Sequence, residues 1–321
     1  MEIRPPDIGP EPMRPEPWRK SALGFFAATL VLNALFGFVA QYRHPMLGLA
    51  WTEAFVFLLP AVAAAAGSNL SPSAFLLLSR RPRPREVATG AGVGAAVFLA
   101  GSGVMTLTTL VVPHSWVEAY DVTRLFAGSG AERVGMGVVA TALAPLAEEV
   151  AFRGYALSSL RTWARPWPSI LGSTLLFAAM HLDPVRLPAM LVLGATFGWL
   201  AYRSGSIWPA VAAHAVNNGL GSALAVAGGG EGPAEAELTG ALALVAVGLL
   251  ALVPLAALYW RATPRPPPPE DALVRRDPRD PSVRFRPGRV PRSILWLGVF
   301  GLVLFLALAM TGGGAAGARP G

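Results

Sequence analysis

The sequence predicts an all-α protein: a polytopic bundle of transmembrane helices, with about eight core helices and one appended C-terminal helix. Of the 321 residues, 53% are hydrophobic and only 14% are charged, whereas about a quarter are charged in soluble domains. Long apolar runs recur along the chain, and most approach the roughly 20 residues that a helix needs to cross the hydrocarbon core. Arginines cluster in the short stretches between these runs, as expected where loops set the orientation in a membrane.

Nine apolar segments are predicted as spans: 22–40, 47–66, 87–112, 134–160, 168–182, 187–202, 206–226, 238–260 and 293–310. The segment 168–182 is short, and it is predicted to be tilted or partly inserted. The stretch SPSAFLLLSRRPRPRE (71–86) is too short to span, and its apolar patch before arginines predicts a position on the inner membrane surface.

These segments divide the chain into a bundle with tails and a linker. The bundle covers 21–260, and its polar motifs lie within 134–226. The remaining parts are a flexible cytoplasmic tail, a Pro/Arg-rich cytoplasmic linker, a C-terminal transmembrane helix and a second flexible tail: 1–20, 261–292, 293–310 and 311–321.

The arginine distribution predicts the orientation. With a cytoplasmic N-terminus and nine crossings, 20 of the 26 Lys and Arg residues lie on the cytoplasmic side and five on the other, with Arg153 inside a span. Positive charge collects on the cytoplasmic side of membrane proteins, so we predict a multi-pass protein with a cytoplasmic N-terminus. The same clustering accounts for the net charge of +7 without a nucleic-acid partner. The lysine-poor composition, rich in Ala, Gly, Pro and Arg, is typical of GC-rich bacterial genomes and predicts a bacterial inner membrane.

Two glutamates and an arginine interrupt the fourth span, in LAEEVAFRG. A charged group inside a span costs about 2.5–3.5 kcal/mol on insertion scales and normally faces a bundle interior or a cavity. Glu149 and Arg153 are four residues apart, so they can pair on one helix face, and a purely structural pair remains an alternative for them. Glu148 lies about 100° round the helix, which leaves a second carboxylate that Arg153 does not obviously neutralise.

Two further motifs place polar residues on later spans. FAAMH puts Phe177 and His181 on one helix face, and HAVNN does the same for His214 and Asn218. A buried glutamate can act as general base on a water molecule, and histidine and asparagine can donate to an oxyanion. Glu148, His181 and His214 could instead hold a catalytic zinc ion, and the residues leave both chemistries open.

Other protease chemistries are excluded by the residues that the chain lacks. It has no cysteine, no HExxH motif and no GxSxG motif. No pair of aspartates falls within the predicted spans.

The motifs EEVAFRG, FAAMH and HAVNN, in this order, resemble the signature of the CPBP family. This family unites type II CAAX prenyl endopeptidases with bacterial intramembrane peptidases and bacteriocin-processing or Abi immunity proteins. The resemblance covers about 135–225. It implies that Glu148 activates water with His181 and that His214 and Asn218 form an oxyanion hole. It also implies that Glu149, Arg153 and Phe177 orient the site. No cofactor is favoured, and the metal-dependent alternative would use zinc at Glu148, His181 and His214.

The predicted function is therefore an intramembrane endopeptidase that cleaves a membrane-embedded or lipidated peptide or protein within the lipid bilayer. A non-catalytic scaffold or immunity factor of the same fold is the alternative. A transporter with a proton relay is a third hypothesis, but the sequence lacks the repeated halves and broken helices that would favour it.

Overall fold

The computed structural model describes residues 16–67, 71–161, 165–228, 237–263 and 290–311. Within these ranges the chain forms helices and turns and no strand, so the predicted all-α class is confirmed. Most of the predicted tails and of the linker 261–292 lies outside the described residues. The nine long helices are α1 Ser21–Arg43 (continuing a helix that begins at Glu16), α2 Pro45–Gly67, α3 Pro84–Thr109, α4 Gly130–Arg161, α5 Pro166–Met180, α6 Leu187–Ser204, α7 Trp208–Ala227, α8 Leu238–Ala262 and α9 Arg292–Thr311.

Six of these helices, α1 to α4, α8 and α9, are long and apolar enough to cross a membrane. The other three predicted spans are also helical, but α5 has only 15 residues, and α6 and α7 are not among the six. These three helices carry polar side chains that face neighbouring helices, such as Ser173, Thr174 and His214. Burial against protein removes the need for a continuous apolar surface, and this accounts for their weaker span character.

The outer helices present apolar side chains to the surroundings of the protein. Leu250 on α8 is 76% exposed, and Trp296 on α9 is 71% exposed. Large exposed apolar surfaces are rare in soluble monomers and are what contact with lipid requires. Together with the six apolar helices, they identify a multi-pass membrane protein.

Four π-helical turns interrupt the long helices. They lie in α1, α2 and α4, at Asn33–Gly37, Glu53–Leu58, Val139–Leu143 and Glu149–Ala156. Such turns are rare, and they occur often at functional sites because they re-aim side chains and disturb the regular hydrogen bonding of the backbone. The hydropathy pattern of these helices does not predict the turns.

The apolar patch of the stretch 71–86 packs into the bundle, while most of the residues from 79 to 85 are exposed; its predicted position on the inner membrane surface stays a prediction. Only Pro72–Phe75 is a short helix, and Phe75, Leu76 and Leu77 are almost fully buried. The Phe75 ring lies 5.4 Å from the Tyr155 ring of α4, and the Ile207 amide donates to the Leu77 carbonyl at 3.2 Å. The apolar patch closes one end of the bundle, a role that its arginine-rich flank did not reveal.

A close contact between α3 and α7 fixes the position of the second motif histidine. A Cβ atom on Gly94 would lie 2.2 Å from the Ala213 carbonyl oxygen, so only glycine permits this approach of the two backbones. Ala213 directly precedes His214. The glycine therefore sets how deeply the His214 backbone sits in the bundle.

The C-terminal helix α9 packs on α1 and α2. The Trp51 indole donates from Nε1 to the Gly301 carbonyl at 2.8 Å. The Phe305 ring lies 5.0 Å from the Phe36 ring and 5.4 Å from the Trp51 ring. The described part of this helix is thus a lateral addition to the bundle, away from the polar motifs on α4, α5 and α7.

Candidate active site

The glutamate–arginine pair of α4 forms as predicted. Arg153 donates from Nη1 to Glu149 Oε1 at 2.8 Å, and neither side chain is exposed. Both residues belong to the π-helical turn Glu149–Ala156. A fully buried pair of opposite charges must be held closely, because each charge loses its hydration.

Three groups on α5 and α6 hold the guanidinium of Arg153 in place. Its Nη2 donates to the Gly194 carbonyl at 3.1 Å, and its Cζ lies 4.4 Å from the Phe177 ring centroid and 5.6 Å from that of Phe197. Arg153 therefore links three helices through one hydrogen bond and two cation–π contacts.

His214 joins the two glutamates. Its Nδ1 lies 2.9 Å from Glu149 Oε1, and its Nε2 lies 3.6 Å from Glu148 Oε2. A carboxylate only accepts, so the short contact assigns a proton to Nδ1. The predicted divergence of Glu148 and Glu149 around the helix thus brings them to opposite edges of one imidazole ring. His214 is 4% exposed and Glu148 is 9% exposed.

Aromatic rings enclose this imidazole. The Phe197 ring stacks on His214 with 4.8 Å between centroids and 23° between planes. The Phe177 ring meets His214 edge-on at 6.0 Å and meets the Phe152 ring of α4 at 5.5 Å. The rings fix the orientation of the imidazole and exclude water from one side of the cluster.

His181 lies beside this cluster at the end of α5. Its Nδ1 is 2.9 Å from the Phe177 carbonyl oxygen, and its ring meets the Phe177 ring at 4.9 Å. A carbonyl only accepts, so Nδ1 carries a proton and a neutral ring leaves Nε2 as an acceptor. His181 is close enough to interact electrostatically with both Glu148 and His214.

Asn218 lies one turn beyond His214 on α7, with its amide anchored to α4. Its Nδ2 donates to the Ala140 carbonyl at 3.0 Å, and its Oδ1 accepts from Asn217 Nδ2 at 3.0 Å. Ala140 belongs to the π-helical turn Val139–Leu143. One of the two Nδ2 hydrogens remains for another acceptor.

The structure therefore gathers Glu148, Glu149, Arg153, Phe177 and His214 by direct contact. It places His181 next to them and Asn218 one helical turn away.

Three contributors were missed in the sequence analysis: Gly194, Phe197 and a glutamate on α2, Glu53. The first two lie in GATFG (194–198), a GxxxG spacing that is typical of close helix packing. Gly194 has little room for a Cβ, which would lie 2.9 Å from Thr174 Cγ2 and 3.2 Å from Phe177 Cδ1. Glu53 interrupts the apolar run LAWTEAFVFLLP, the same signal that singled out Glu148.

The metal-dependent alternative requires three ligating side chains around one ion. Within the described parts of the chain, no three His, Cys, Asp or Glu side chains lie close enough together to hold one. Glu148, His181 and His214 therefore do not form a three-ligand group in the conformation described.

The segment that carries the motifs is similar to a known protein family. A family described as Type II CAAX prenyl endopeptidase Rce1-like matches residues 130–220. This segment contains all three motifs, and the match supports the predicted family. No curated protein and no solved structure gives a significant match to the chain.

Proposed function

We propose that this chain, whose residues 130–220 match the CAAX prenyl endopeptidase family, is an intramembrane endopeptidase that uses a glutamate-activated water. The observation that carries the proposal is the His214 ring held between Glu148 and Glu149. A packing pair needs only Glu149 and Arg153. The carboxylate of Glu148, on the other edge of the same imidazole, is not needed for this packing pair, but a base for the reaction requires it.

The charges of the cluster support donation from His214 Nε2. Two carboxylates and one guanidinium leave one uncompensated negative charge among buried groups, which is costly in a low-dielectric interior. A second proton on His214 brings the cluster of Glu148, Glu149, Arg153 and His214 to neutrality. It also gives Nε2 a hydrogen that can be donated to a substrate carbonyl oxygen.

The proposed reaction is direct hydrolysis. Glu148 takes a proton from water, whose oxygen attacks the scissile carbonyl carbon. His214 Nε2–H and the remaining Asn218 amide hydrogen stabilise the oxyanion. His181, with Nε2 free to accept, holds the water. The proton on Glu148 then passes to the leaving amine as the C–N bond breaks.

The proposed substrate is a membrane-embedded or lipidated peptide or protein. The matched family is described as a type II CAAX prenyl endopeptidase, and the candidate site lies among helices of a membrane bundle. A bacterial cell would not ordinarily supply prenylated tails, so a membrane-bound peptide of another kind is the proposed natural substrate.

A cleavage assay tests the proposal. The purified full chain in liposomes is given two internally quenched peptides, one farnesylated and ending in a CAAX sequence, the other an unmodified apolar peptide. We expect cleavage of at least one peptide, with the site identified by mass spectrometry. If neither is cleaved by a folded wild-type protein, the scaffold alternative replaces the proposal.

Chelation is expected to leave this activity unchanged. The proposed reaction uses only the side chains of the protein, and the conformation described does not bring three metal-ligating groups together. The rate of peptide cleavage is measured before and after extended treatment with EDTA and 1,10-phenanthroline. Loss of activity that added zinc restores would contradict the metal-free mechanism.

The proposed orientation, with a cytoplasmic N-terminus in a bacterial inner membrane, is testable because the chain has no cysteine. Ser79 and Ser115 are exposed and lie in the two connecting segments on either side of α3, Ser115 within the short helix His114–Ala119. We expect a membrane-impermeant maleimide to label Ser115→Cys in right-side-out vesicles and Ser79→Cys in inverted vesicles. The opposite pattern would place the N-terminus outside.

A further inference from the structure

Glu53 is a buried acid that the reaction described above does not use. It lies in the middle of α2, is 2% exposed, and its Oε2 has no hydrogen-bond partner. A buried polar group without a partner loses its hydration and gains no hydrogen bond in exchange, so it destabilises the fold. The apolar sequence around it, LAWTEAFVFLLP, offers no structural reason for an acid at this position.

Glu53 lies beside the base of the proposed reaction. The segment of α2 that begins at Glu53 packs against the segment of α4 that ends at Glu148. One turn further along each helix, the Phe57 and Phe152 rings meet at 5.9 Å, so α2 and α4 run side by side in the same direction here. Glu53 begins a π-helical turn of α2, and Glu148 directly precedes one of α4.

The surroundings decide which of the two carboxyl groups holds a proton. Two neighbouring carboxylates in a low-dielectric site do not both stay ionised. Glu148 has the His214 ring as a partner, with 3.6 Å between His214 Nε2 and Glu148 Oε2, and this ring is cationic when it holds the second proton proposed above. On α4, Glu149 and Arg153 compensate each other. Glu53 has no such partner, so it is the group that stays neutral and carries an O–H.

We propose that Glu53 is a positioning residue for Glu148, holding its carboxylate toward the attacking water by donating a hydrogen bond to it. The inference rests on the proposed peptidase function. Without this contact, Glu148 would be oriented only by His214, at 3.6 Å. A base held from two helices has less freedom to rotate away from the water, and orientation of this kind contributes to the rate of the chemical step.

Two variants separate a positioning role from a structural one. Glu53→Leu removes the donor and fills the site with apolar atoms, so we expect equal or higher thermal stability with kcat reduced about 10-fold or more and KM within about 2-fold. Glu53→Gln keeps a neutral N–H donor and should recover kcat to within about 3-fold of wild type. The substrate is the farnesylated CAAX peptide or the unmodified apolar peptide, whichever wild type cleaves.

Asn33→Leu is the matched control. Asn33 is also buried in a π-helical turn with an unpartnered side-chain oxygen, but that oxygen lies against Gly37 of its own helix. We expect this variant to keep wild-type kcat, which shows that replacing a buried polar group by leucine is not itself harmful.

Each outcome decides the inference. If wild type cleaves and Glu53→Leu cleaves equally fast, or if Glu53→Gln is as slow as Glu53→Leu, the positioning role is wrong while the peptidase function stands. If wild type cleaves neither peptide, the proposed function fails and the inference fails with it. Glu53→Met, with a more adaptable side chain, replaces Glu53→Leu if the latter does not fold, and failure of both to fold would assign Glu53 a structural role.

Discussion

Glu148→Gln is expected to abolish peptide hydrolysis while leaving the protein folded. Glutamine has nearly the same shape and can still contact His214, but it cannot take a proton from water. Loss of a general base typically lowers a rate by about 10²–10⁴-fold, so we expect at least a 100-fold fall in kcat. Because Glu148 is not part of the pair that locks α4 to α6, thermal stability should change little.

The measurement is the rate of peptide cleavage in liposomes, with the melting temperature recorded on the same preparation. Glu132→Gln is the control, since Glu132 lies on the same helix and its side chain closes the capping box with Ser129. Glutamine is accepted in a capping box, so this variant should keep full activity. Full activity of Glu148→Gln would show that Glu148 is not the general base. If Glu53→Gln were active as well, a reaction outside this cluster would be favoured.

The sequence was sufficient to predict the helices and the helix faces on which the motif residues lie. All nine apolar segments are helical, and Glu149 contacts Arg153 because the i to i+4 spacing survives in the helix. A sequence does not tell whether a helix is surrounded by lipid or by protein, so hydropathy did not reveal that α5, α6 and α7 bury polar side chains against their neighbours. For the same reason it did not reveal that Phe75, Leu76 and Leu77 pack inside the bundle.

Contacts between helices were less predictable than those within one helix. The motif HAVNN alone does not indicate that His214 lies between two glutamates. The position of His214 depends on how α7 packs in the bundle, and Gly94 sets how closely α3 and α7 approach each other. The π-helical turns have no clear sequence signal, although they change the direction of Glu53 and of the residues that follow Glu148. Glu53 itself was predictable, since the cost of a charge inside a span applies to it as it does to Glu148.

Arg153→Ala is expected to lower the yield of folded protein as well as its activity. The substitution leaves the fully buried Glu149 without its guanidinium partner and removes the contacts with Gly194 and Phe177. Removing one partner of a buried ion pair typically costs about 3–5 kcal/mol, a large share of an ordinary free energy of unfolding of about 5–15 kcal/mol. Membrane yield and melting temperature measure the loss.

A double variant shows whether the loss comes from the uncompensated carboxylate. Arg153→Met keeps an apolar chain of similar length and should still be destabilised, because Glu149 remains buried without its cation. Adding Glu149→Gln removes that charge, and we expect most of the stability to return, as when buried ion pairs are replaced together by neutral groups. Activity should not return, because His214 Nδ1 loses the carboxylate that orients it. If Arg153→Met alone were as stable as wild type, Glu149 would not carry a charge in the folded protein, and the charge balance proposed for His214 would be wrong.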